Sequence, residues 1–374
     1  MMQMKLLSIV GARPNFMKIA PIADAILAQN SNSQQKINHF IVHTGQHYDE
    51  KMSKLFFRDL GIPAPDINLG VGSGSHAAQT AEIMKRFEPV LLENQPDFLL
   101  VVGDVNSTIA CALVGTKLGV KIVHVEAGLR SFDRSMPEEI NRILTDAISD
   151  VLFITEPSGE KNLLKEGITR NKIHFVGNVM IDTLLKHLPR AEEKSTVLEE
   201  LGLKENSGET CAYGVVTLHR PSNVDNPEAL KSIVASLNAI SERVKLIFPV
   251  HPRAKINMDK MGISFSSGVK LTDPLGYLDF LKLMANSRLV LTDSGGIQEE
   301  TTILGIPCLT MRENTERPIT VEQGTNRLVG SDPDRIAPEA MRIIGNPLPK
   351  KAQPELWDGM AGSRIVRILL EQFG

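Results

Sequence analysis

Three cysteines in 374 residues, Cys111, Cys211 and Cys308, are too few and too scattered for a disulfide framework, and no CxxC pair is present to hold zinc. Buried thiols in a reducing compartment are expected, and with them a cytoplasmic protein. No apolar run approaches the ~20 residues of a membrane span, and residues 1–10 pass into a strand pattern rather than a cleavable leader. No basic block appears, and the formal charge of −3 argues against a nucleic-acid partner. Any phosphate site must therefore be made by a few local Arg, Lys and His side chains. Short-period repeats and low-complexity tracts are absent as well.

What is present is the material of a globular α/β protein. Apolar residues make up 42% and charged residues 23% of the chain, and at ~150 residues per domain the length suggests two domains. Short apolar runs alternate with longer helical patterns. Residues 6–10, 40–43, 98–102, 121–125, 151–154 and 173–176 read as strands of one parallel sheet, continuous in apolar character because both faces are covered. Helical patterns fall at 16–30, 75–94, 107–118 and 138–149. After a helix at 179–187, a charged and poorly periodic stretch at 190–209 reads as the hinge and linker. The pattern resumes with strands at 213–217, 245–250, 269–271, 289–292 and 307–311, and a last helix around 363–372 is a candidate to pack back across the hinge. The expected architecture is two Rossmann-like doubly wound domains, residues 1–178 and 179–374, facing an interdomain cleft.

Ligands of open α/β sheets bind beyond the carboxyl ends of the strands, so motifs that carry chemistry should follow strands. The run at 289–292 leads into Asp293-Ser294-Gly295-Gly296 and then a helix. Unpaired N–H groups and the positive end of the helix dipole suit a phosphate there, and two glycines allow close approach; a turn with an N-cap serine is the plainer reading. Gly11-Ala12-Arg13-Pro14 follows the first strand, with Lys18 further along the same helix, as ligand groups or as surface cations. Gly103-Asp104-Val105-Asn106-Ser107-Thr108 puts Asp104 at a loop tip, where one of Asp104, Asn106 and Ser107 is available as a helix cap. Glu126 sits at a strand end. With Asp104 and Glu138 it makes three carboxylates that neighbouring charges can drive to different pKa values, the requirement for a general acid and a general base in one site. Glu138 and Arg142, at i, i+4, also fit a plain intrahelical pair. In the second half, His219 and Arg220 follow one strand, His251 and Arg253 another, Tyr277 and Phe280 either flank a base or pack in the core, and Arg312 and Arg317 follow a third strand.

The phrases GARPNFMK, TGQH, GDVNST, HVEAGLRS, PEEINR, TLHRPSN, PVHPR, DPLGYLDF, LTDSGGIQEE and ENTERP, in this order over residues 11–318, resemble the non-hydrolysing UDP-N-acetylglucosamine 2-epimerases. The resemblance implies a glycosyltransferase-B-type fold, UDP-N-acetylglucosamine as substrate with UDP-N-acetylmannosamine as product, no metal or nicotinamide cofactor, and a homodimer. It implies that Arg13, Lys18, His219, Ser294, Gly295, Gly296 and Arg317 hold the diphosphate, that Glu300 binds the ribose hydroxyls, and that Asp104, Glu126, Glu138 and His219 do the chemistry. Leu275 departs from the glutamine often found there, which leaves a uracil contact to backbone atoms or Phe280. Gln46 corresponds to a position near an allosteric pocket in bacterial members. A hydrolysing epimerase, a glycosyltransferase of the same fold and a non-catalytic nucleotide-sugar sensor stand as alternatives.

Overall fold

Strands buried on both faces build two all-parallel sheets in the computed structural model, which describes residues 4–45, 61, 64–205, 207–250, 252–346 and 353–373. In chain order the first part of the chain forms β1 (Met4–Val10), α1 (Arg13–Asn32), β2 (Ile37–His43), β3 (Ile67–Asn68), α2 (His76–Asn94), β4 (Phe98–Val102), α3 (Asn106–Lys117), β5 (Lys121–Ala127), α4 (Pro137–Ile148), β6 (Val151–Ile154), α5 (Pro157–Lys165) and β7 (Ile173–Phe175). The second forms α6 (Val179–Lys194), α7 (Val197–Glu200), β8 (Tyr213–Thr217), α8 (Pro221–Val224), α9 (Pro227–Ser241), β9 (Lys245–Pro249), α10 (Pro252–Lys260), β10 (Val269–Thr272), α11 (Tyr277–Ala285), β11 (Leu289–Thr292), α12 (Gly295–Leu304), β12 (Cys308–Thr310), α13 (Pro318–Glu322), β13 (Asn326–Leu328) and α14 (Pro333–Gly345). A last helix, α15, spans Ala361–Phe373.

The sheets run β3-β2-β1-β4-β5-β6-β7 and β10-β9-β8-β11-β12-β13. In each, strand order reverses once, at β1/β4 and at β8/β11, and the loops leaving those strands splay apart to open a crevice. The loops after β4, β8 and β11 carry Asp104, His219 and Ser294, and β1 leads into α1, which carries Lys18. Two edge strands, β3 and β13, do not stand out in the sequence. One has two residues and the other is Asn-Arg-Leu, so backbone pairing to β2 and β12 holds them rather than apolar content.

The chain divides into two units, Met1–Thr183 with Glu355–Gly374 and Leu184–Pro354. The division falls inside α6, past the change of pattern at Asn178 and Val179. The described residues of 190–209, read above as linker, are folded into the second unit. Lys282 Nζ donates to the carbonyls of Glu192 and Ser195 at 3.0 and 2.7 Å, and Ser195 Oγ donates to Asp279 Oδ1 at 2.6 Å. Val197, Leu198 and Leu203 are buried beneath the charged residues that mask their periodicity.

Within the first unit, α15 packs on α1. Asp182 accepts the N–H groups of Ala361 and Gly362 at 3.1 and 2.8 Å, satisfying backbone donors at the start of α15. Trp357 is buried, and its indole N–H donates to the Thr155 carbonyl at 2.9 Å. Trp357→Ala should lower the free energy of unfolding by about 3–5 kcal/mol. Because the variant lacks the chain's one tryptophan, guanidinium unfolding followed by far-ultraviolet circular dichroism checks this.

Candidate functional site

In the first unit the exits of β1, β4 and β5 are fitted to one another at the side-chain level. Asn15 Oδ1 accepts the N–H groups of Gly11 and Ala12 at 3.1 and 2.9 Å, closing the start of α1, while its amide donates to the Val102 carbonyl at the end of β4. A Cβ on Gly11 would lie 2.2 Å from Ser107 Oγ, so glycine alone permits this approach. Arg13 is the first residue of α1, and its side chain lies outside the described residues.

Lys18 is buried, and its Nζ stands 2.5 Å from Glu126 Oε2. A residue expected to hold phosphate and one expected to do acid–base chemistry are thus in direct contact. Glu126 has φ +73°, a left-handed conformation that costs an ordinary side chain about 1–3 kcal/mol. The strain coincides with a register shift: Val125 pairs with Phe153 and Ala127 with Ile154, leaving Glu126 as the extra residue of a β-bulge. Gly103, also at positive φ, passes under the Lys18 amine, where a Cβ would come within 2.9 Å of Nζ.

Asp104 is partly exposed, and its Oδ2 accepts from Arg142 Nη1 at 2.7 Å. Arg142 pairs within α4 with Glu139, at 2.9 Å, rather than with Glu138. Glu139 is buried and accepts the N–H groups of Ser131 and Phe132 at 3.0 and 2.9 Å, so it shapes the loop before α4. Glu138 is half-buried in the first turn of α4, where the helix dipole favours a negative charge, and has no ion pair among the described residues. The intrahelical alternative for Glu138 is thereby replaced by a Glu139–Arg142 pair. None of Asp104, Asn106 and Ser107 caps α3. Val105 holds the N-cap position without a side-chain hydrogen bond, Ser107 Oγ lies 2.7 Å from Thr44 Oγ1, and Asn106 donates to Gln79.

In the second unit a buried carboxylate that sequence reasoning quoted without assigning a role organises the crevice. Asp293, fully buried after β11, has Oδ1 2.7 Å from His219 Nδ1, and it accepts the backbone N–H of His219 and of Arg220 and the Asn223 amide. Burial pushes the Asp293 carboxyl up, but the His219 hydrogen bond and charge and the two backbone donors outweigh it and hold it below its ordinary value. The His219 side chain is 48% exposed, so Nε2 is presented outward while Nδ1 is held. The signal was legible in principle: Asp293 directly follows β11 and His219 comes two residues after the end of β8, and these strands are neighbours at the switch point.

Ser294 is the N-cap residue of α12 by position, yet its side chain makes no capping hydrogen bond; its backbone N–H donates to Thr292 Oγ1 at 3.0 Å. A Cβ on Gly295 would meet Arg317 Nη1 at 2.5 Å and Glu316 Oε1 at 2.8 Å. Gly296 is the second residue of α12. Arg317 is buried, with Nε 2.7 Å from Glu299 and Nη1 2.5 Å from Glu316, and Arg312 pairs with the other oxygen of Glu316 at 2.8 Å. Glu300 is buried on α12, and Tyr277 Oη donates to its Oε1 at 3.5 Å. Phe280 is half-buried one turn beyond Tyr277, whose ring stands edge-on to His187 in packed surroundings. Gln46 and His251 lie outside the described residues, as does the side chain of Arg253.

Among the described residues no cluster of three His, Cys, Asp or Glu has a metal-binding arrangement, and no helix is long and apolar enough to cross a membrane. The geometry supplies a carboxylate-bearing sheet edge in the first unit, with Lys18 and Arg142 paired to Glu126 and Asp104, and a helix N-terminus preceded by the Asp293–His219 pair in the second.

Comparison with known proteins bears on which chemistry they serve. The family model described as UDP-N-acetylglucosamine 2-epimerase matches residues 29–370. A UDP-N-acetylglucosamine 2-epimerase of Methanococcus maripaludis is 45% identical over 96% of this chain and 97% of its own. A UDP-2,3-diacetamido-2,3-dideoxy-D-glucuronate 2-epimerase of Pseudomonas aeruginosa is 43% identical over 98% and 99%. The crystal structure of Methanocaldococcus jannaschii UDP-GlcNAc 2-epimerase in complex with UDP-GlcNAc and UDP superposes with a TM-score of 0.89, at 44% identity, covering 98% of this chain and 100% of that one.

Burial and the neighbouring Glu299 charge push the Glu300 carboxyl up to about 8. The folded chain therefore keeps a proton that the unfolded chain releases near 4.5, so ionising Glu300 costs stability progressively between those values and fully above them. Glu300→Gln removes that cost. Its advantage in Tm over wild type, measured by calorimetry, should be small near about pH 5 and grow through about pH 8; a constant difference would contradict the shift.

Proposed function

The chain belongs to the UDP-N-acetylglucosamine 2-epimerase family, a family of isomerases, and from that we propose that it interconverts UDP-N-acetylglucosamine and UDP-N-acetylmannosamine without net hydrolysis. The observation that carries this reading is the strained, buried Glu126 in contact with Lys18, on the same sheet edge as the Asp104–Arg142 pair. It puts a proton acceptor beside cations, which is what an elimination across carbons 1 and 2 requires.

The hydrogen on carbon 2 of the sugar is not acidic, so simple deprotonation is prohibitive. In the proposed route the bond from carbon 1 to the diphosphate oxygen breaks, a carboxylate takes the carbon 2 proton, and 2-acetamidoglucal and UDP remain bound. Re-addition of UDP with delivery of a proton to the opposite face of carbon 2 completes the inversion. Asp104, Glu126 and Glu138 are the acid/base set, and His219, held by Asp293, supplies an Nε2 hydrogen bond to the leaving diphosphate. Arg13, Lys18, Arg317 and the backbone at Ser294, Gly295 and Gly296 stabilise the developing negative charge. Glu300 takes the ribose hydroxyls and Phe280 the uracil.

A second substrate is favoured by one observation, the 43% identity to the epimerase acting on UDP-2,3-diacetamido-2,3-dideoxy-D-glucuronate. Offering both nucleotide sugars and comparing kcat/KM decides between them. With UDP-N-acetylglucosamine alone, the expected product is UDP-N-acetylmannosamine with no accumulation of free UDP. Stoichiometric UDP and free N-acetylmannosamine would mark a hydrolysing enzyme, and no reaction would mark a transferase or a sensor.

Asp104→Asn, Glu126→Gln and Glu138→Gln should each lower kcat by about 10²–10⁴-fold while UDP affinity changes far less. Near-normal turnover in all three would remove the assigned roles. Arg13→Ala should instead weaken UDP binding by about tenfold in calorimetric titration, as expected for loss of a charge-assisted contact.

A further inference from the structure

Behind the carboxylates of the first unit lies a buried ionic cluster that the proposed reaction does not use. Asp146, on α4, is fully buried and receives three donors: His124 Nδ1 at 2.6 Å, Arg130 Nη2 at 2.7 Å and the Gly128 N–H at 3.0 Å. His124, itself fully buried in β5, places Nε2 2.9 Å from the Gly103 carbonyl. Both ring nitrogens are thus engaged inside the protein, one by the Asp146 carboxylate and one by a backbone carbonyl. Arg130 is held from its other side by Glu166, which is partly exposed.

The placement of these contacts is specific. His124 lies two residues before Glu126 and Gly128 two residues after, so one carboxylate grips both flanks of the bulge that throws Glu126 out of the strand. Through His124 the same carboxylate fixes the Gly103 carbonyl, and the next residue is Asp104. Gly128 is suited to this geometry, since a Cβ there would lie 2.6 Å from the Gly159 carbonyl oxygen. Asp146 also follows Arg142, the partner of Asp104, by four residues, one turn along α4. From Asp146 to the bulge and to the Gly103 carbonyl the links are hydrogen bonds between buried groups, and one or two residues of backbone complete the path to Glu126 and Asp104.

We propose that Asp146 and His124 are positioning residues for the reaction, holding the Glu126 bulge and the Gly103–Asp104 turn in a fixed relation. The proposal rests on the reading of Asp104 and Glu126 as proton-transfer groups. A misplacement of reacting groups by about 1 Å costs on the order of 100-fold in rate, while a ligand held by other residues is bound as before. Loss of either member of the pair should therefore appear in kcat and not in nucleotide binding.

The test uses the full chain carrying Asp146→Asn, His124→Gln, Asp104→Asn or Glu126→Gln, with Glu166→Gln as a control. For each, kcat and KM for UDP-N-acetylglucosamine, UDP affinity by calorimetry, and thermal unfolding are measured. Asp146→Asn and His124→Gln are expected to lose on the order of 100-fold in kcat, with KM and UDP affinity within about threefold of wild type and cooperative unfolding retained. Glu166→Gln should keep wild-type kcat. The proposal is overturned if both variants keep kcat within about threefold of wild type, if kcat and UDP affinity fall together, or if both lose cooperative unfolding, since each result assigns the pair no role or a purely structural one. Should only one variant fold, that one decides. Active Asp146→Asn and His124→Gln beside inactive Asp104→Asn and Glu126→Gln would overturn the positioning role alone. Active Asp104→Asn and Glu126→Gln would overturn the acid/base reading itself.

Discussion

The buried ion pair between Lys18 on α1 and Glu126 at the end of β5, 2.5 Å apart, is the contact around which the carboxyl edge of the first sheet is arranged. Two charges removed from water lose solvation worth several kcal/mol each, and their attraction repays this only with good geometry and further hydrogen bonds. The surrounding residues meet that demand. Gly103 leaves room for the amine, Gly11 lets the β1 loop close on Ser107, and a β-bulge turns Glu126 inward at φ +73°. Taking away one partner would leave a buried unpaired charge.

Each unit solves the support of its switch-point loops in a similar way. A fully buried aspartate, Asp146 in the first and Asp293 in the second, collects backbone N–H groups together with a histidine Nδ1. The difference lies in the other ring nitrogen. His124 spends Nε2 on the Gly103 carbonyl inside the protein, whereas His219 leaves its ring half exposed beside the N-terminus of α12. One ring is fully engaged inside the protein and the other is half exposed, and the residue types alone do not distinguish them.

Much of the fold was legible because parallel strands covered on both faces are apolar throughout. Phe98–Val102, Val151–Ile154, Tyr213–Thr217 and Leu289–Thr292 carry that signal over their full length. It fades at the edges, where β3 and β13 are held by backbone pairing, and at 190–209, where Val197, Leu198 and Leu203 provide burial too sparse to show a period. Residue types at strand ends pointed to Asp104, Glu126, His219 and Ser294. The sequence could not say that Glu126 is a bulge residue, that Arg142 chooses Glu139 over Glu138, or that Asp146 and Asp293 are hubs. Those are consequences of which strands become neighbours, and neighbours in these sheets lie far apart in the chain, as Leu6 and Phe98 or Thr217 and Thr292 do. Pairing that distant is set by the whole topology and not by local pattern.

The central claim is that a carboxylate of the first unit removes the proton from carbon 2 of a nucleotide sugar and that protonation from the opposite face restores it. Proton NMR of UDP-N-acetylglucosamine incubated with the enzyme in deuterium oxide tests this most directly. Deuterium is expected at carbon 2 in both epimers, at a rate matching turnover, without build-up of free UDP. Epimerisation that retains the original hydrogen at carbon 2, or binding without any exchange, would contradict it.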